Sequence, residues 1–375
     1  MQQAIDGNPN DRCGPLLEPV LKPLYAAYEA LKKARAARQP LDLDLPERRV
    51  ELMEDGTVKS INFKDRLDAH RLIEEFMVLA NVAAAETLLS KKIPLLFRIH
   101  EEPTQEKLES LRETAEAAGF TLAKGQVLQT AHLNKLLNDA AGSDDAELIN
   151  LSTLRAMTQA YYGPQHIGHF GLALRSYAHF TSPIRRYADL IVHRALITAH
   201  QWGKDGLQPG DYETLEQTGA HISDTERRSM MAERDTTDRY MASYLSERVG
   251  NEFGGRVSGI ARFGVFVKLD ETGADGLLPM RALGNEYFHY DAESQTLMGS
   301  DTGMLISLGQ RVLVRLAEAV PVTGGIALEL LEIEDQKVPQ GRRSPAGRSN
   351  PRRKATKAKR KKDKIKRKVS RTRRR

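Results

Sequence analysis

Apolar residues recur at helical spacing through most of the first 250 positions. The stretch 16–39 is rich in Ala, Leu and Lys and stops at Pro40, so it reads as a helix. Residues 41–63 alternate more strictly around Gly56, the pattern of a short hairpin or irregular link. A strong helical period covers 64–92, another covers 106–118 before Gly119, and a third covers 146–161 before Gly163-Pro164. From Pro183 to about Trp202, Ile184, Ala188, Ile191 and Ala195 fall on one face. Ser182 suits the N-cap of that helix and Pro183 its first position. Residues 211–249 read as one long helix, with Asp211 as N-cap and Gly250 just past its end.

The texture changes near Asn251. Short β-type runs at 256–260, 264–269, 276–278, 311–317 and 326–333 are separated by Gly and Asp. Five such runs in so short a span predict a small OB-type barrel. From Gln336 the apolar content falls away, and 344–375 is rich in Lys and Arg with Pro, Gly and Ser, which reads as disordered. The expected architecture is α+β: a mostly helical part over 1–248, a five-stranded barrel over 249–336 and a basic tail over 337–375.

Charge sharpens this division. Residues 337–375 hold twenty Lys and Arg against the single acid Asp363, a charge of +19. The whole chain carries +6, so the other residues carry −13. Long-range attraction to polyanions is therefore a property of the tail. With 40% apolar residues the chain can build cores, and its one cysteine, Cys13, excludes a disulfide framework and suits a reducing cytoplasm. No apolar run resembles a signal peptide or a membrane span.

Candidate chemistry concentrates in a few places. Arg185 and Arg186 fall in the first turn of the 183–202 helix, where the helix dipole disfavours cations. Two guanidinium forks beside exposed backbone N–H groups make an anion site, most simply for a phosphate; the alternative is two solvated arginines. On the 64–92 helix, Leu72, Phe76, Leu79, Ala80 and Ala83 form an apolar side, while His70, Glu74 and Asn81 lie within about 40° of one another as a polar stripe. Glu233 shares a face with Glu226 on the 211–249 helix. In the barrel, Phe263 and Phe266 with Arg262 and Lys268 offer a platform on which bases could stack, with Tyr287, Phe288, His289 and Tyr290 as a second aromatic group. Residues 249–336 nevertheless hold thirteen acids and six bases, which favours polyanions only if the cations cluster. His100 and His169 read as hydrogen-bonded structural histidines. No spaced Cys/His cluster for zinc and no Gly-rich phosphate loop occurs.

The run His169-Phe-Gly-Leu-Ala-Leu, His179-Phe-Thr-Ser-Pro-Ile-Arg-Arg-Tyr187 and His193-Arg194 resembles the signature of the RNB family of 3′→5′ exoribonucleases, in its ribonuclease R branch. Ile73-Glu-Glu-Phe-Met-Val-Leu-Ala-Asn81, Leu96-Phe-Arg-Ile-His-Glu-Glu-Pro103 and Glu226-Arg-Arg with Met231-Ala-Glu-Arg-Asp235 fit the same family in the same order. The residues after 250 resemble its S1-type RNA-binding domain. The resemblance implies hydrolysis of single-stranded RNA from the 3′ end to nucleoside 5′-monophosphates. It implies that Arg185 contacts the phosphate at the scissile bond, that Arg186 and Arg194 support it, and that Arg186 also binds the RNA 3′ end. It also implies that Glu74, or failing it Glu75, and Glu233 face the 3′-terminal nucleotides, where a carboxylate can accept the 2′-OH.

One family feature is missing. The resemblance implies Mg²⁺ held by aspartates of an R-D-x-D-D-A motif, which lies upstream of everything matched here and does not occur in this sequence. Asp144-Asp145-Ala146 lacks the preceding Arg-Asp and reads as a helix start; Asp42 and Asp44 lie in the strand-like link. The expectation is a C-terminal portion of such an enzyme, with no metal ligands of its own. Such a chain binds RNA, hydrolyses little or none alone, and pairs with a complementing N-terminal fragment. A ribosome or structured RNA is a further expected partner of the tail, and a membrane is not. The alternative is a non-catalytic RNA-binding adaptor or the remnant of a split gene.

Overall fold

The computed structural model describes residues 1–44, 47–63, 66–124, 128–284, 286–291 and 295–337. All but the first residue of the basic tail, for which disorder is expected, lies outside them. The short helix α1 (Gln2–Ile5) leads through a π-helical turn at Leu17–Leu21 into α2 (Lys22–Arg38). The expected hairpin follows as β1 (Arg48–Leu52) and β2 (Val58–Phe63), paired antiparallel. Then come α3 (Asp68–Ser90), β3 (Phe97–Ile99), α4 (Gln105–Ala117), α5 (Thr130–Ala140), α6 (Ala146–Ala156), β4 (Tyr161–Gly163), α7 (Tyr187–His200), α8 (Pro209–Glu213) and α9 (Leu215–Ser246). β3 and β4 pair antiparallel, and α3, β3 and α7 close one core around Leu88, Leu96, Ile99, Val192 and Ala195. α4, α5 and α6 close a second around Leu111, Leu133, Leu136 and Ile149.

The barrel is five-stranded and closed, and with the helical part it makes the chain α+β as expected. β5 (Glu252–Ala261), β6 (Gly264–Leu269) and β7 (Asp275–Pro279) run as an antiparallel meander. A small sheet of β8 (Phe288–Asp291), β9 (Thr296–Gly299) and β10 (Leu305–Ile306) intervenes. β11 (Arg311–Val320) pairs with both β5 and β12 (Gly325–Ile333), and β12 meets β7 in parallel, which closes the ring. β13 (Gln336–Lys337) adds to the edge of β12. Met241, Ala242 and Leu245 at the end of α9 enter the barrel core beside Val265, Val267 and Val314. Burial of this kind, at roughly 1.5–3 kcal/mol for each large apolar side chain, joins α9 to the barrel as one packed body.

Five expectations change. The helix expected over 146–161 ends at Ala156, and Tyr161 already belongs to β4. The helix expected from Pro183 begins at Tyr187, because the Asp189 carboxylate takes the Ser182 N–H and the Ser182 carbonyl takes the N–H groups of Arg185 and Arg186. Residues 182–186 thus form a turn, and Ile184, expected on the apolar face, is fully exposed. The helix expected over 211–249 is two, since Asp211 caps α8 by accepting from the Gln208 N–H and α9 starts anew at Leu215. The buried face of α3 is Leu72, Glu75, Val78, Asn81, Ala85 and Leu88, so Leu79 and Ala83 turn outward and two polar residues inward. α5 and the β8–β10 sheet were not foreseen; in α5, Leu133, Leu136, Leu137 and Ala140 are all buried at i, i+3, i+4 and i+7, a period the sequence does carry.

Candidate nucleic-acid interface

The loop from Gly163 to Arg186 packs on β3 and carries most of the site. Gly168 holds φ at +105, where a Cβ would lie 3.1 Å from the Leu174 carbonyl oxygen, so glycine is required for the loop to fold back. The His100 N–H bonds the Gly168 carbonyl and the Phe170 N–H bonds the His100 carbonyl, which stitches the loop to the end of β3. This brings five rings into a chain of contacts. His100 lies 5.0 Å from His169, His169 lies 5.3 Å from Tyr177, Tyr177 lies 5.7 Å from His179, and His179 lies 5.6 Å from Tyr162, centroid to centroid.

Every polar atom that fixes these rings has a local cause. His100 bonds the Thr158 carbonyl through Nε2 and accepts the Gly171 N–H on Nδ1. His169 accepts the Leu172 N–H on Nδ1. His179 Nδ1 and the Tyr162 hydroxyl share a bond of 2.8 Å. Asn81, buried on α3, donates to the Tyr177 hydroxyl and accepts the Phe180 N–H. Burial pushes His169 down to about 3, helped by His100 and Arg98. Burial, then Arg186 and Arg98, pushes His179 to about 3 as well, and burial also lowers His100. All three are neutral at physiological pH. His100 and His169 are each hydrogen-bonded to backbone groups, as expected of structural histidines. Burial raises Tyr162 to about 12.

Cations border this neutral cluster. The Arg98 guanidinium lies over the Tyr162 ring at 4.6 Å and pairs with Glu226 of α9 at 2.5 Å. Arg186 donates to Asp189, whose side chain is 0% exposed. Arg185 is exposed, forms no ion pair among the described residues, and stands near enough to His179 to disfavour its protonation. The two arginines therefore diverge: Arg185 is available to a ligand, while Arg186 is turned into the protein. Neither sits inside the helix as expected: Arg186 is the N-cap of α7, where the Asp189 carboxylate meets its charge, and Arg185 lies one residue before it. Arg194 is also occupied, by Asp211 at 2.8 Å.

The expected carboxylates lie apart. Glu74 is half-exposed on α3 and meets Arg66 at 3.5 Å. Glu75, one residue on, is buried and pairs with Arg35 of α2 at 3.0 Å. Arg38 beside it bonds the Leu172 carbonyl, tying α2 and α3 to the site loop. Glu233 is exposed on α9, in a stretch where residues 228–236 are exposed on every side. Arg98, Tyr162, Tyr177, His179 and Asp189 were not singled out, and Asn81 was placed only in a polar stripe with His70 and Glu74, whereas it is buried and bonded to Tyr177. The Arg186–Asp189 spacing of three was the legible signal for Asp189, and an arginine inside the apolar run Leu95–Ile99 was the signal for Arg98.

On the barrel, Phe263 is 60% exposed and meets Phe266 edge to face at 5.9 Å. Arg262 beside it is exposed. Lys268 is engaged elsewhere, pairing with Glu147 of α6 at 2.6 Å. Asp144 likewise holds Arg311 and Arg256, and Arg155 donates to the Ser258 carbonyl at 2.7 Å. One side of the barrel is thus docked on α6.

Divalent ions ask for hard carboxylate oxygens. Among the described residues no group of three or more His, Cys, Asp or Glu could hold a metal ion. Asp189 and Glu226 at the site are already taken by arginines. Among the described residues, those present do not fit a metal centre. Among the described residues no helix is long and apolar enough to cross a membrane.

The RNB domain family matches residues 1–201, and the S1 RNA binding domain family matches residues 246–331. Ribonuclease R of Escherichia coli (strain K12) is 41% identical over 308 residues, which cover 80% of this chain and 38% of that protein. Ribonuclease R of Aquifex aeolicus (strain VF5) is 38% identical over 321 residues, 84% of this chain and 45% of that protein. The apo form of Mycoplasma genitalium RNase R has a TM-score of 0.82 at 28% identity, over 88% of this chain and 52% of that one. The chain spans less than half the length of these two curated relatives. By sequence and by fold alike, the chain belongs to the RNB family.

Proposed function

We propose that this chain is the RNA-gripping part of a ribonuclease R-type 3′→5′ exoribonuclease of the cytoplasm, acting on single-stranded RNA. The observation that carries the reading is the exposed Arg185, with no ion pair among the described residues, at the edge of a partly buried, uncharged His/Tyr cluster inside the RNB match. A guanidinium offers two parallel N–H donors to a phosphate, and beside a low-dielectric wall its attraction for developing negative charge is strengthened. Glu74 and Glu233 are the carboxylates for the 3′-terminal nucleotides, accepting ribose hydroxyls. Arg186 supports Arg185 rather than touching RNA. The Arg262, Phe263 and Phe266 rim of the barrel guides the strand. Structures of M. genitalium RNase R in complex with ribose methylated single-stranded RNA and with double-stranded RNA support RNA as the partner.

Since the sequence holds no R-D-x-D-D-A motif and the described residues group no metal ligands, the 375 residues alone bind RNA and hydrolyse little. The test is mononucleotide release from a 3′-labelled single strand, with and without an N-terminal piece of E. coli ribonuclease R that carries the motif. Rescue in trans that is lost on Arg185→Ala is the expected result. Steady release by the chain alone, abolished by EDTA, refutes the division of labour. Unchanged RNA affinity with no rescue favours a binding adaptor instead.

A further inference from the structure

Asp189 is the most buried charged side chain near the site, at 0% exposure, and one oxygen carries two bonds. Its Oδ1 accepts the Ser182 N–H at 2.7 Å and the Arg186 guanidinium at 2.8 Å. Its Oδ2 and the Arg186 Nε are buried without a partner. An ion pair placed so deep is weak support for stability, because desolvation offsets most of its attraction, and apolar side chains of similar size often serve better. The geometry says what else it does. Ser182 and Arg186 are the two ends of the turn that precedes α7, and both are tied to the same carboxylate on the first turn of that helix. Between them the Ser182 carbonyl accepts from the N–H groups of Arg185 and Arg186 at 3.3 and 3.1 Å, and Pro183 fixes its own φ. The residues left outside are Ile184, fully exposed, and Arg185.

We infer that Asp189 is a positioning residue: by clamping both ends of the 182–186 turn it presents the Arg185 guanidinium in one place, ready for an RNA phosphate. It never touches the RNA. The inference rests on the reading of Arg185 as a phosphate contact. A cation held on a stapled turn loses little freedom on binding, which is the physical basis of preorganised affinity.

The test is a double-mutant cycle on the full chain with Arg185→Ala and Asp189→Asn. The probe is a single-stranded RNA with 2-aminopurine at its 3′ end, whose quenching reports seating at this site, titrated at several salt concentrations. Arg185→Ala is expected to weaken seating about tenfold and to reduce the salt slope by about one. Asp189→Asn is expected to match both changes, and the double variant to lose no more than either single one. With Arg185→Ala impaired, wild-type seating by folded Asp189→Asn, or losses that multiply, overturns the inference alone. Wild-type seating by Arg185→Ala overturns the functional reading beneath it. If Asp189→Asn does not fold, Arg186→Met carries the test, since it removes the Arg186 bond to the Asp189 Oδ1 and leaves the Ser182 bond in place. A folded Arg186→Met with wild-type seating then overturns the clamp.

Discussion

His169 and His179 make the site sensitive to acid through stability rather than through catalysis. Each has its folded pKa near 3, well below the usual histidine value of about 6.5 that the unfolded chain retains. Between those limits the unfolded state binds more protons, so stability is complete above about pH 6.5 and falls as pH drops towards 3. The loss at pH 4.5 is on the order of a few kcal/mol for the pair. Thermal melts from pH 8 to 4.5 are expected to be flat above 7 and to decline below 6.5, with a shallower decline in His179→Gln. A melting temperature indifferent to pH across this range contradicts the burial argument. Asn81 sits on the same network with both ends bonded. Asn81→Leu strands the partly buried Phe180 N–H and the Tyr177 hydroxyl and is expected to cost about 1–3 kcal/mol in denaturant unfolding.

Among the elements, α9 decides whether the site is walled. Ser223 of α9 accepts the Tyr162 N–H at 2.9 Å, and Gly219 lies against the Tyr162 carbonyl, where a Cβ would come within 2.6 Å. Alanine in a helix is ordinarily better than glycine by about 0.5–1 kcal/mol. Here the contact is backbone that cannot yield, and overpacking costs typically about 1–3 kcal/mol, so Gly219→Ala is expected to destabilise and to lower Arg98–Glu226 pairing. A stabilised Gly219→Ala in thermal melts contradicts the close approach. The closed barrel, the hairpin around Gly56 and the helices over 64–92 and 106–118 were legible because each has an uninterrupted period bounded by glycine or proline. The start of α7 was not. Ser182 and Pro183 are good helix-starting residues, but a carboxylate seven positions on competes for the Ser182 N–H, and that competition is invisible to local propensity. The buried face of α3 was misread for a related reason: Glu75 and Asn81 point inward because Arg35 and Tyr177 await them from distant parts of the chain. Polar residues with remote partners mimic a solvated stripe. Arg185 was legible from its motif, whereas the neutral ring cluster beside it depended on how the loop folds back at Gly168.

At the scale of the whole molecule, the barrel's cations are divided by use. Arg256, Lys268 and Arg311 are held by Asp144 and Glu147, and Arg315 by Glu252, so these four neutralise carboxylates rather than phosphates. Arg262 and Arg281 are exposed and make no ion pair among the described residues. Arg262 adjoins Phe263 in sequence, and the Met280 N–H bonds the Phe263 carbonyl, which brings the backbone before Arg281 to the same turn. An acidic barrel can thus offer RNA one short cationic rim beside the exposed Phe263 ring at the β5–β6 turn, with Lys268 further along β6 committed to α6. Two physical terms then separate by experiment. Stacking on Phe263 is worth about 1–3 kcal/mol per base and does not depend on counterion release. Attraction by the +19 tail depends on it strongly. Phe263→Ala is expected to weaken binding of a single-stranded RNA at every salt concentration without changing the slope of log affinity against log salt. Removal of residues 338–375 is expected to flatten that slope. Lys268→Ala is expected to leave RNA affinity near wild type while loosening the barrel from α6, read as faster amide exchange along β6. A loss of RNA affinity in Lys268→Ala equal to that in Phe263→Ala contradicts the division, because it requires the docked side of the barrel to face the RNA.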